Sequence, residues 1–347
     1  MAALREGDRI QNYLLEARVG AGSFGEVWRA RHHVFNESVA IKIPTDPQFV
    51  RNLQREGVTI HGLRHPNIVR AIDLDPYGDP PYLIMEYVDS PSLAAVIAHW
   101  KARLPISAAA AILRGVLQAL SAAHGQGVIH RDIKPANILL NHPLADMASV
   151  GEQSVKVTDF GLGLVGGLTT QAMLQSGSLD ADEGRGVSGT LAYMSPEQKE
   201  GAPVDARSDL YSCGIVLFEM LTGERPQGTE VPSALRPDVL GNLDDVFRRS
   251  YTRLDRRFAS ATEMAAALTP RAIAPSGGPL PPHVRSAAGV TPRCTACDGV
   301  IHREDQFCIH CGAQLVASVA RCSACDGFVS PNDRFCIFCG KDLGVLA

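Results

Sequence analysis

Hydrophobic and polar positions change their rhythm partway along the chain. Tyr13–Val19, Gly25–Ala30 and Ser38–Ile43 show the short, β-branched, apolar-rich alternation of strands. A helical stretch follows over Pro47–Leu63, and PYLIMEYV, ending at Val88, reads as a further strand. Beyond about residue 90 the period becomes helical: Ile112, Val116, Ala119 and Ala123 recur at spacings of three and four, with Pro105 and Ser107 at the start of the helix. The predicted fold is α+β and bilobal, with a β-rich lobe over about 1–88, a helical lobe over about 89–270 and a cleft between them suited to a small ligand.

The pattern stops near residue 270. The segment RAIAPSGGPLPPHVRSAAGVTP, 271–292, is rich in Pro, Gly, Ala and Ser and too poor in bulky apolar groups to build a core, so it reads as a linker. Residues 293–347 form a third region. The two most apolar stretches, Ala108–Ala123 and Leu210–Leu221, are interrupted by Arg114, Gln118 and Glu219, and read as buried helices rather than membrane spans. The N-terminal MAALREGDRI has no apolar core of a signal peptide. With a formal net charge of -4, no global field points to nucleic acid or anionic membrane as the main partner. A soluble, cytoplasmic protein is expected.

Three motifs carry candidate chemistry in the first region. Gly20-Ala21-Gly22-Ser23-Phe24-Gly25-Glu26-Val27 lets a strand–turn–strand approach phosphates through backbone N–H groups, although alone it is equally a plain glycine-rich hairpin. Val39-Ala40-Ile41-Lys42 follows, and its lysine, fifteen residues past Val27, is either a solvated edge charge or a phosphate ligand held by an acid such as Glu56, ahead of His65-Pro66-Asn67-Ile68-Val69. Then come His130-Arg131-Asp132-Ile133-Lys134-Pro135-Ala136-Asn137 and Asp159-Phe160-Gly161, followed by Ser195-Pro196-Glu197.

In this order and spacing the motifs resemble the eukaryotic-type serine/threonine protein kinase family, over roughly residues 10–270. The resemblance implies transfer of the γ-phosphate of ATP to Ser/Thr hydroxyls of proteins, the kinase itself included, in signalling, by positioning and charge screening. It implies that Asp132 orients the substrate hydroxyl and accepts its proton, that Asn137 and Asp159 hold Mg²⁺, that Lys134 lies near the γ-phosphate, and that Lys42 and Glu56 pair. It makes Val27, Ala40 and Leu139 walls of the adenine pocket and Met85-Glu86-Tyr87-Val88 the hinge, with the Glu86 carbonyl and Val88 amide binding the base. Asp209 resembles the anchor of the catalytic loop, and Arg257 the partner of Glu197. Because Lys42, Asp132, Asn137 and Asp159 are all present, an active enzyme is expected rather than a nucleotide-binding scaffold; Thr190 and the Ser195-Pro196-Glu197 segment favour protein over small-molecule substrates.

Between Asp159 and Glu197, Thr169, Thr170, Ser176 and Ser178 are candidate phosphosites facing the cation of Arg131, with a merely polar loop as the alternative, while Thr190 resembles the threonine that touches Asp132 and Lys134. Two departures from the family stand out. NHPLADMASVGEQS lengthens the turn between Asn137 and Asp159, which reads as a surface loop of small cost. Gly223–Pro232 is abbreviated where kinases place a substrate-docking helix.

Of nine cysteines, only Cys213 lies before residue 294. The others form Cys294-x2-Cys297-x10-Cys308-x2-Cys311 and, 28 residues on, Cys322-x2-Cys325-x10-Cys336-x2-Cys339. Two Cys-x-x-Cys knuckles complete a tetrahedron around Zn²⁺ and leave no open position, so two structural ions are expected. A piece of this size cannot bury its own core, and metal binding, on the order of 10 kcal/mol per site, supplies the folding energy. The pair resembles a double zinc ribbon; a disulfide framework and an iron–sulfur centre are the alternatives. Basic residues nearby are few, so a protein partner is expected rather than nucleic acid.

Overall fold

The computed structural model describes residues 4–22, 25–46, 49–101, 104–160 and 191–269, together with 300, 315, 322, 335 and 341–343. The chain divides into two units, Met1–Arg271 and Ala272–Ala347. In the second, Cys322 is buried, and Phe335 bridges Asp342 in an antiparallel contact. The other seven candidate zinc ligands, the linker, and Thr169, Thr170, Ser176, Ser178 and Thr190 lie outside the described residues.

The first unit opens with β1 (Arg9–Ile10), β2 (Tyr13–Gly22), β3 (Gly25–His32) and β4 (Ser38–Ile43), then α1 (Val50–Gly62), β5 (Ala71–Asp75) and β6 (Tyr82–Glu86). These strands form one antiparallel sheet in the order β1-β2-β3-β4-β6-β5. Alternation gives the sheet two apolar faces. Ile10, Leu15, Trp28, Ala30, Ile41 and Ile84 pack on one. Ala40, Leu53, Val69, Leu83 and Met85 pack on the other, beneath α1, with Val27, Val88 and Leu139 against them.

The helical lobe contains α2 (Leu93–Trp100), α3 (Ile106–His124), the short pair β7 (Ile138–Leu140) and β8 (Val155–Val157), α4 (Pro196–Glu200), α5 (Ala206–Thr222), α6 (Pro232–Leu235), α7 (Gly241–Ser250) and α8 (Ala261–Ala267). Caps set several of these boundaries. Asp205 accepts from the Arg207 N–H at 2.8 Å, Ser260 accepts from the Glu263 N–H at 3.1 Å, and Gly201 and Gly223 end their helices with positive φ. Among the described residues only α3 is long and apolar enough to cross a membrane, and it is buried in the core of this lobe.

One sequence reading changes. The extension after Asn137 is more than a surface loop: Met147 and Val150 are buried in the main core, and the Trp100 Nε1–H donates to the Leu144 carbonyl at 3.0 Å. At Gly115 a Cβ would meet the Glu152 carbonyl oxygen at 2.5 Å, so the glycine in mid-α3 admits this inserted turn. The stretch after Gly223 holds a helix of four residues, α6, at Pro232–Leu235.

Candidate active site

The site begins at the end of the sheet. Gly20 pairs with Val27 and Gly22 with Gly25, closing the β2–β3 hairpin; Ser23 and Phe24 lie outside the described residues. Gly25 is required by close approach, since a Cβ there would sit 2.3 Å from the Ile43 carbonyl oxygen. Register places Val27 opposite Lys42 and Ala40 opposite Met85, so the glycine hairpin, the lysine and the hinge are aligned by ladder hydrogen bonds alone. Val27, Ala40, Met85, Val88 and Leu139 belong to one apolar cluster.

Lys42 is buried, and its ammonium donates to both carboxylate oxygens of Glu56 at 2.9 Å and to Asp159 Oδ1 at 2.8 Å. Burial pushes the Glu56 carboxyl up to about 8, with the Asp159 charge adding to it and Lys42 opposing. Burial would also raise Asp159, but the Lys42 charge and hydrogen bond outweigh it and hold that carboxyl below its ordinary value. Burial alone would depress Lys42; its two carboxylate partners raise it instead. One cation thus serves two acids in a desolvated site, and the raised Glu56 carboxyl, which keeps its proton near neutral pH, spares the cluster a surplus of negative charge.

The catalytic loop is fixed from behind. Asp209 on α5 accepts from the His130 N–H at 2.9 Å, the Arg131 N–H at 2.7 Å and His124 Nε2 at 2.7 Å. Arg131 has φ 68°, a costly left-handed conformation held by Asp209 on its amide and by the Gln198 Nε2–H on its carbonyl at 2.8 Å. His130 Nε2 meets the Thr158 carbonyl at 2.9 Å while its Nδ1 accepts from the Asp132 N–H at 3.2 Å, so the proton sits on Nε2. In front of this frame, Lys134 Nζ donates to Asp132 Oδ2 at 2.9 Å, and Asn137 Nδ2 donates to the Asp132 carbonyl at 2.9 Å and to Oδ2 at 3.1 Å. With its NH₂ group committed to Asp132, Asn137 turns its Oδ1 the other way. Asp159, at φ 64°, supplies a carboxylate. An amide oxygen and an ionised carboxylate are the hard oxygen donors that Mg²⁺ takes, so these residues fit that ion.

Glu197 is buried against Arg257, which donates from Nη1 to Oε1 at 2.6 Å and from Nη2 to Oε2 at 2.9 Å, and Ser208 adds a further donor at 2.6 Å. The structure also holds contacts the sequence reading did not find. Gln198 completes a capping box with Ser195, a signal present in the S-x-x-Q spacing of 195–198. The Asn67 Nδ2 group donates to the carbonyls of Glu152 at 2.7 Å and Val155 at 2.9 Å, and nothing in its motif announces those partners.

A strand-rich lobe and a helical lobe thus carry a buried Lys–Glu–Asp cluster and an Asp–Lys–Asn loop. Residues 13–268 match the protein kinase domain family, and the chain belongs to that family. Residues 294–340 match the double zinc ribbon family. The chain is 34% identical over 281 residues to the serine/threonine-protein kinase PknB of Mycolicibacterium smegmatis, covering 74% of this chain and 42% of that protein. A probable serine/threonine-protein kinase of Clostridium perfringens is 38% identical over 225 residues, covering 63% of this chain and 30% of the relative. The crystal structure of the PknI kinase domain of Mycobacterium tuberculosis superposes with a TM-score of 0.58 at 29% identity, covering 77% of this chain and 98% of that one. The chain therefore spans less than half the length of these curated relatives.

Proposed function

We propose that this chain is an ATP-dependent serine/threonine protein kinase that phosphorylates protein hydroxyls, its own among them, in cytoplasmic signalling. The observation that carries the reading is the meeting of Lys42, Glu56 and Asp159 in one buried cluster. In this reading Lys42 binds the α- and β-phosphates, Asn137 and Asp159 hold Mg²⁺, and the metal screens charge on the phosphates. Asp132 orients the acceptor hydroxyl and takes its proton, while Lys134, tied to Asp132, holds the γ-phosphate side. Gly20, Ala21, Gly22, Ser23, Phe24 and Gly25 cover the phosphates. The Glu86 carbonyl and the Val88 amide bind the base between Val27, Ala40, Met85 and Leu139.

The boundaries that go with this function are a kinase domain over 1–270, a linker over 271–292 and two ribbons over 293–347. Each ribbon holds one structural Zn²⁺ through its four cysteines and offers a surface to a protein partner. Reducing conditions in the cytoplasm suit eight cysteines serving as thiolate ligands.

Incubating the full chain with γ-labelled ATP and Mg²⁺, beside an Asp132→Asn variant, tests the reading. The wild type labels itself and the variant is slower by about a thousandfold, within the range for loss of a positioned base. Equal labelling of the two, or none in either, makes the domain a nucleotide-binding scaffold.

A further inference from the structure

The residues expected to read the base sit where the sheet runs out. Glu86 is the last residue of β6; it faces Val39 on one side, and on the other its N–H donates to the Arg70 carbonyl at 2.9 Å. Past this rung no ladder holds Tyr87 and Val88, and the Ser90 N–H turns the chain back onto the Val88 carbonyl at 2.9 Å. Backbone past the end of a ladder is held by fewer hydrogen bonds. Yet an adenine bound through one carbonyl and one amide two residues apart requires both to point one way.

The Glu86 side chain supplies a constraint from behind. Its Oε1 accepts from the Arg70 N–H at 3.0 Å and from Lys156 Nζ at 2.6 Å. Lys156 lies in the middle of β8 and pairs with Leu139, the expected floor of the adenine pocket. Its strand is bonded in turn to the segment after α1: the Val69 N–H donates to the Val157 carbonyl at 2.9 Å, and the Val157 N–H donates to the Asn67 carbonyl at 2.8 Å. The lysine also stands close enough to His65 for its charge, after burial, to lower that imidazole's pKa. One side chain therefore joins the hinge, the pocket floor and the α1–β5 connection. Both partners are partly buried, at 21% and 25% exposure, so the contact is less open to solvent than a surface pair.

We propose that Lys156 is a positioning residue for the nucleotide base: held on β8, it fixes the Glu86 carboxylate and so orients the 86–88 backbone edge that reads adenine. This inference rests on the kinase reading above. It assigns no contact between Lys156 and the nucleotide, so phosphate binding through Lys42 is independent of it.

The test measures the full chain and its Lys156→Met and Lys156→Arg variants with three probes: ADP with Mg²⁺, GDP with Mg²⁺, and inorganic tripolyphosphate with Mg²⁺. Lys156→Met weakens ADP by roughly fivefold, the scale of one partly buried ion pair. It narrows the preference for ADP over GDP, leaves tripolyphosphate affinity unchanged, and raises KM for ATP with little change in kcat. Lys156→Arg restores most of the ADP affinity. Unchanged ADP affinity and base preference in Lys156→Met overturn the proposal. So does an equal loss for all three probes, which would mark the lysine as general scaffolding. Failure of the wild type to bind ADP at all overturns the kinase reading instead, and this inference with it.

Discussion

Two ion clusters among the described residues of the first unit use similar groups to opposite ends. In the helical lobe, Glu197 and Arg257 match one carboxylate with one guanidinium in a two-pronged contact, and Ser208 adds a donor. Burial would raise Glu197, but the Arg257 and Ser208 hydrogen bonds outweigh it and hold the carboxyl down at about 2. At the cleft, Lys42 divides itself between Glu56 and Asp159, and the two carboxyls are driven apart, one up and one down. The first cluster balances with both of its groups ionised, whereas the second balances with Glu56 holding its proton. The first cluster locks α4 to the loop before Phe258; in the second, both acids ionise together only beside a further cation, such as one brought in with the substrate.

Breaking the first cluster has the largest effect on stability. Arg257→Ala leaves a buried carboxylate without its partner and costs about 3–5 kcal/mol, read by urea unfolding of the first unit's transition. A loss under 1 kcal/mol would mean the pair is not buried as described. The acid limb sharpens the same contrast. Glu197 titrates lower in the folded state than its ordinary 4.5, so its contribution is fully present above about pH 4.5 and is lost as pH falls toward 2. The amount is on the order of 3 kcal/mol. Following stability against pH for the wild type and Glu197→Gln isolates it, because the variant loses that part of the acid slope.

The residues legible in the sequence are those whose chemistry admits no substitute. Asp132, Asn137 and Asp159 were singled out from their motifs because the proposed proton acceptance and metal binding call for those groups in those places. Strand alternation located β2, β3 and β4, and three- and four-residue spacing located α3. What stayed hidden depends on distant backbone. Lys156 looks like any solvated strand lysine until folding brings Glu86 against it across seventy residues. Asn67 is bound by the carbonyls of Glu152 and Val155, one of them inside the inserted turn. Gly115 reads as a weak point in a helix until the close approach of Glu152 explains it. That turn looked like a surface extension because Met147 and Val150, isolated among polar residues, show no period to reveal their burial.

The claim that the cleft cluster awaits a cation is tested most directly by ADP affinity with and without Mg²⁺, in the wild type and in Asp159→Asn. The account predicts that Mg²⁺ tightens ADP binding to the wild type by at least about tenfold, a difference of ~1.4 kcal/mol, and that Asp159→Asn loses most of this gain. An equal gain from Mg²⁺ in both proteins would contradict it.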